Sequence, residues 1–127
     1  MTSSVESGTR SVRLTVPAKP DYIVLTRLAL SAVCRLTSLE PEDVADLKLA
    51  VTEAATGLVR DDSNEQLSCD FTLEEGRLVL DIGGPDSITV SAEEQEVARA
   101  IIQATVDECE FDEGAVRLVK YLKPREQ

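Results

Sequence analysis

Two short runs of residues limit what this chain can become. Leu67 to Leu73 and Arg77 to Ile82 each alternate apolar and polar side chains, with Glu74, Glu75 and Gly76 between them. Alternation with period two sends successive side chains to opposite faces, so each run reads as a strand with one buried face. A short connection containing Gly closes a hairpin, because Gly takes the positive φ that such a turn needs. The chain therefore contains antiparallel sheet, and its other segments have to cover one face of that sheet.

The flanking segments read in the same way. Arg13 to Val16 alternates up to Pro17, whose missing N–H ends a short strand. Pro20 suits the first turn of a helix, and Tyr22, Leu25, Ala29, Ala32, Val33 and Leu36 then recur at helical spacing as its buried stripe. The other face of that helix carries Val24, Arg27, Leu28, Ser31 and Arg35, an apolar and basic mixture that invites a partner. Pro41, Glu42 and Asp43 open a second helix, with acids where the helix dipole favours them. Val44, Leu47, Val51, Ala54, Ala55 and Leu58 form its expected core stripe, while Asp46, Ala50, Glu53 and Gly57 fall on the opposite side. The polar stretch Asp61 to Gln66 reads as a loop.

After Gly83, Gly84 and Pro85, Ser91 and Glu94 match a capping box that opens a third helix to about Val106. Val97, Ala100, Ile101, Ala104 and Thr105 are its expected inward positions. Cys109 to Phe111, a turn at Asp112 to Gly114, and Ala115 to Leu122 supply a last hairpin. The order β-α-α-β-β-α-β-β predicts the α+β class, a two-layer sandwich of mostly antiparallel sheet with helices on one face. At 127 residues the chain is expected to form one domain over residues 11–123, with flexible tails at 1–10 and 124–127.

Charge narrows the function. With 24 Asp and Glu against 13 Lys and Arg, the formal charge is −11, which repels phosphate backbones and anionic lipid surfaces. Direct nucleic-acid or membrane binding is not expected; a basic partner surface, or simple solubility, is. The opening MTSSVESGTR lacks the apolar run of a signal peptide and no stretch of 18 apolar residues occurs, so a cytoplasmic location is expected. Cys34, Cys69 and Cys109 are odd in number, widely spaced and accompanied by no His, which predicts free buried thiols and no metal site.

The segment VPAKPDYIVLTRLALSAVCRLTSLEPEDVADLKLAVTEAA resembles the amino-terminal half of anti-sigma factor serine kinases of the RsbW type. The match combines the Val-Pro-Ala strand exit, the Arg-Leu-x-Leu-Ser helix, the acidic helix start and an Asp-Leu-Lys-x-Ala-Val-x-Glu-Ala run, in order. Weaker similarity continues through Asp81-Ile82-Gly83, Val106-Asp107-Glu108 and Lys120-Tyr121-Leu122, so the resemblance spans roughly residues 12–122. It implies the histidine-kinase-like ATPase fold, ATP with magnesium between helices and sheet, a homodimer, and two partners. One partner is a sequestered sigma factor; the other is an anti-anti-sigma protein phosphorylated on Ser.

Carried over residue by residue, the resemblance makes Glu53 the catalytic base, but Gly57 stands where the family has a magnesium-binding Asn four residues on. Gly offers no oxygen ligand to magnesium. Asp81 and Gly83 match the adenine-binding Asp and the Gly that follows it, although Asp-x-Gly-Gly-Pro is equally a strand-ending turn. The family's glycine-rich phosphate turn is replaced by Glu93, Glu94, Gln95, Glu96, Val97 and Ala98, and its lid is cut short. Glu near a triphosphate adds like-charge repulsion, whereas Gly allows close backbone approach. Arg27 aligns with a helix-one arginine that faces the anti-anti-sigma partner.

These residues predict an anti-sigma factor-like regulator that acts by protein–protein binding, with ATP binding weak or lost. The rival reading is an active ATP-dependent serine/threonine kinase, supported by Glu53, Asp81 and Gly83. A third is a relative of the same fold that senses another small molecule in the remnant pocket.

Overall fold

Leu67, Cys69, Phe71 and Leu73 are buried while the residues between them are half-exposed, so the alternation becomes one covered and one open sheet face. The computed structural model describes residues 10–60, 62, 64–85 and 92–122. Over these the chain runs β1 (Arg10–Pro17), α1 (Ile23–Cys34), α2 (Pro41–Thr56), β2 (Gln66–Glu74), β3 (Arg77–Gly83), α3 (Ala92–Thr105), β4 (Glu108–Asp112) and β5 (Ala115–Tyr121). A single 3-10 turn at Pro20–Tyr22 leads into α1. The five strands form one sheet in the order β1-β2-β3-β5-β4, and every neighbouring pair is antiparallel. The α+β class and the element order are those read from the sequence. Gly76 and Gly114 take φ of +84° and +71° in the two tight hairpin turns, the left-handed region where a Cβ is costly.

One core lies between sheet and helices. Leu78, Leu80 and Ile82 of β3 and Leu118 of β5 join the β2 residues against Leu30 and Val33 of α1, Leu47 and Val51 of α2, and Ile102 of α3. Each large aliphatic side chain removed from water contributes roughly 1.5–3 kcal/mol. Pro41 begins α2, and the Glu40 N–H donates to the Asp43 carboxylate at 3.3 Å, fixing that helix start.

The helices differ in phase from the sequence reading. In α1 the buried residues are Ile23, Thr26, Leu30, Val33 and Cys34, whereas Tyr22, Leu25 and Leu36, expected inward, are exposed. The segment is apolar around most of its circumference, so periodicity alone leaves its rotation open by about one residue, or 100°. Thr26 tolerates full burial because its hydroxyl donates to the Ile23 carbonyl at 2.6 Å. Ala50, expected on the outward side of α2, is fully buried. α2 packs against both α1 and α3, which widens its covered arc beyond a single stripe. In α3, Ile102 is buried while Val97, Ala100 and Ala104, expected inward, are exposed. The Arg99 guanidinium lies 4.7 Å from the centre of the Phe111 ring of β4, which fixes that helix's rotation with Ile102 inward.

β1 begins at Arg10, so that residue leaves the expected tail and joins the sheet. The remaining expected tail residues and Ser91 of the capping box lie outside the described residues. No helix among the described residues is long and apolar enough to cross a membrane.

Candidate functional site

A cleft opens where the carboxyl-terminal end of α2 meets the first turns of α3. Glu53, Gly57, Gln95 and Ala98 line both of its parts. The outer part, about 440 Å³, adds Thr56, Glu93, Glu94 and Val97. The inner part, about 100 Å³, runs towards the sheet past Arg99, Ile102, Phe111 and Val116. Glu53 reaches the cleft because it lies on the α2 face shared with Gly57, one turn apart, while Ala54 and Ala55 turn into the core. It is half-buried, and makes no ion pair among the described residues.

Gly57 caps α2 with φ −74° and ψ −6°, an ordinary right-handed conformation. A Cβ placed there would meet nothing closer than the Ala54 carbonyl oxygen at 3.7 Å. Neither backbone nor packing demands Gly, so what this position lacks is only a side chain. Gly84 is different. A Cβ there would stand 3.0 Å from Leu58 Cβ and 3.1 Å from the Leu58 carbonyl oxygen, so the link from β3 approaches the end of α2 through a glycine. At Gly83 the nearest atom is Ser68 Oγ at 3.4 Å. The sequence reading singled out Gly83; the double Gly before Pro85 was the signal that pointed to Gly84.

Asp81 lines neither part of the cleft. Leu80 and Ile82 face the core, so Asp81 between them projects from the open sheet face. There it accepts from Arg117 of β5, Nε to Oδ1 at 2.7 Å and Nη2 to Oδ2 at 3.2 Å. The hydrogen bond with Asp81, and then its charge, raise the Arg117 pKa above the ordinary arginine value. Asp81 also stands opposite Asp70 of β2, which holds Arg13 of β1 in a second bidentate pair at 2.6 and 2.9 Å. With Glu110 opposite Arg117, the row Arg13, Asp70, Asp81, Arg117 and Glu110 crosses all five strands. The structure thus brings Glu53 and Gly57 together and leaves Asp81 apart from them, although the resemblance implies that Glu53 and Asp81 serve one ATP site.

The third group of expected site residues lies on α1. Val24 and Leu28 are 45% and 61% exposed, Arg27 and Arg35 are exposed, and Ser31 is half-buried. The corrected rotation adds Leu25 and Leu36 to the exposed side chains. Arg27 and Arg35 make no ion pair among the described residues, whereas Arg13, Arg60, Arg77, Arg117 and Lys120 each hold a carboxylate. Among the described residues no cluster of three or more His, Cys, Asp or Glu is arranged to hold a metal ion.

No family model matches the chain. Individual proteins do. Serine-protein kinase RsbW of Bacillus subtilis (strain 168) is 33% identical over 114 residues, covering 84% of this chain and 69% of that one. The proteins of the same name from Bacillus cereus and Listeria monocytogenes are 29% and 27% identical over 140 residues, each covering 91% of this chain and 87% and 89% of their own. The solved RsbU and RsbW domains of Rv1364c from Mycobacterium tuberculosis match with a TM-score of 0.67 over 91% of this chain at 16% identity, a likeness of fold. This chain spans about a third of that longer one, 33% of its length. With a third of aligned residues shared over most of both sequences, and the fold shared as well, the chain belongs to the RsbW family of anti-sigma factor kinases.

Proposed function

We propose that this protein is a cytoplasmic anti-sigma factor-like regulator of transcription that works by protein–protein binding through α1, with nucleotide binding weak or lost. The observation that carries the reading is the exposed α1 face. It combines Val24 and Leu28 with two arginines that have no carboxylate partner among the described residues, in a chain of net charge −11. Apolar area and arginine are what interface centres use, and a cation held off neighbouring acids remains available to a partner. The partners this suggests are a sigma factor, an anti-anti-sigma protein, or both, with the chain itself a homodimer.

The loss of nucleotide is supported by the donor set at the cleft. Magnesium asks for several oxygen ligands in a near-octahedral shell, and Gly57 supplies none. Glu93 and Glu94 line the cavity where triphosphate oxygens would need N–H donors, and the carboxylate expected to receive adenine is engaged by Arg117. Phosphoryl transfer is mostly alignment and charge stabilisation, so a site with Gly57 in place of a metal ligand and with Glu93 and Glu94 adding negative charge is poorly equipped to accelerate it.

The second reading, an active serine/threonine kinase using ATP and magnesium, is favoured by Glu53, which is retained at the cleft, and by the name its relatives carry. Arg27→Ala tests the first reading. It should leave folding unchanged and weaken capture of a candidate sigma factor or anti-anti-sigma protein by about tenfold, a typical loss for an interface arginine. Undiminished capture of every candidate partner would remove α1 as the interface.

A further inference from the structure

On the open face of the sheet, the side chains in register across β1, β2, β3, β5 and β4 are Arg13, Asp70, Asp81, Arg117 and Glu110. Their signs run plus, minus, minus, plus, minus, with β3 at the centre. Turned end for end, this order sets a cation against a carboxylate at every position except the central one. The middle strands carry small side chains on either side of the row. Thr72, Val79 and Val119 stand in register on one side, and Ser68, Gly83 and Ala115 on the other. Val79 and Val119 belong to this face and not to the core between sheet and helices. Arg13 and Arg117, with side chains 71% and 49% exposed, stand above these small residues. A hollow of about 450 Å³ lies over Ser68, Gly83 and Ala115, beside Asp81 and Arg117.

We propose that a second copy of this chain covers this face, the two sheets packed face to face about a two-fold axis that runs along β3. The inference rests on the reading that the chain is a homodimer, and gives that dimer its surface. An axis along β3 reverses the order of the strands and keeps the rows in line. Arg13 then meets Glu110 of the second copy, Asp70 meets Arg117, and Val79 meets Val79. An axis across the strands would instead set Arg13 over Arg13 and Asp70 over Asp70, a costly meeting of like charges. A two-fold interface has to be complementary to itself, and this row is so because cation and carboxylate exchange places about its centre. The exception is Asp81, which meets its own copy while Arg117 of the same chain holds it. Five strands at the usual spacing offer about 500 Å² per copy, roughly 1,000 Å² in all, the size of a weak and concentration-dependent contact.

Sedimentation velocity of the full chain over a range of concentrations reads the contact, and a dimer forming in the micromolar range is expected. Arg13→Glu and Glu110→Arg should each weaken it about tenfold, and the double variant should restore it to within about twofold. Within one chain these two residues stand on opposite edges of the sheet, about 19 Å apart at the usual strand spacing, so restoration has to come from a second copy. Asp81→Asn removes the one repulsive meeting between copies and should tighten the dimer several-fold. That variant keeps the shape of the side chain and decides the matter if either charge reversal impairs folding. A monomer at every concentration removes the homodimer reading together with this surface. A dimer that the single reversals leave unchanged, that the double variant does not restore, or that Asp81→Asn does not tighten removes the surface alone.

Discussion

Asp81 of β3 stands directly opposite Arg117 of β5 in antiparallel register, and the two side chains share two hydrogen bonds on the open face of the sheet. The carboxylate that the family resemblance would give to adenine is thus part of a row of charges crossing the sheet. Within that row Asp70 and Asp81 are like charges side by side, each held by its own arginine.

That arrangement predicts an ordering of two variants. Asp81→Asn removes one exposed ion pair and also relieves repulsion with Asp70, so it should change stability by less than about 1 kcal/mol. Arg117→Ala leaves Asp81 and Glu110 without a cation between them, while Asp70 keeps Arg13, and should cost more. Urea denaturation of both variants checks the order. A larger loss from Asp81→Asn would mean that its carboxylate has a role the sheet row does not describe.

The two glycines after Asp81 should behave differently. Gly84→Ala drives a methyl group into Leu58 and should destabilise by about 1–3 kcal/mol, the usual cost of overpacking. Gly83→Ala meets the Ser68 hydroxyl, which can rotate away, and should be milder. Thermal melts of the pair give the comparison; equal shifts would contradict the close approach at Gly84.

Helix α1 offers a similar contrast between its two faces. Leu30→Ala empties a fully buried position and should cost about 2–5 kcal/mol. Leu28→Asp, at a side chain 61% exposed, should stay within about 0.5 kcal/mol in stability while abolishing partner capture. A large loss of stability from Leu28→Asp would place that residue in the core, against both the structure and the face read from the sequence.

The thiols give a pH prediction. Burial pushes Cys34 up to about 11, slightly offset by Lys48, and Cys69 up to about 12, with help from Asp70. Both values lie above the unfolded thiol, so their neutral forms stabilise the fold fully below about pH 8.5. That contribution is lost as pH rises through the raised values. Iodoacetamide at pH 8 should therefore label half-buried Cys109 first and reach Cys34 and Cys69 only after denaturation. Labelling of Cys69 as fast as Cys109 would show that β2 opens readily.

The strands were legible in the sequence because period two leaves no choice of face: once Leu80 and Ile82 are inward, Asp81 has to be outward. The same rule puts Asp81 on the sheet face away from the helices and apart from Glu53. Helix rotation was less legible. α1 and α3 carry apolar residues on more than one side, and what fixes Ile102 rather than Val97 inward is contact with α2 and the Arg99 stack on Phe111, neither visible in a one-dimensional pattern. Glu53 and Gly57 were legible as a pair at helical spacing. The cleft was not, because it needs α3 to cross the end of α2.

Isothermal titration with ATP and magnesium asks whether binding outlasts nucleotide chemistry in this member of the family. No saturable heat is expected at millimolar ATP, corresponding to less than about 4 kcal/mol of binding free energy. Saturable, magnesium-dependent binding in the micromolar range would contradict it and leave the kinase reading standing.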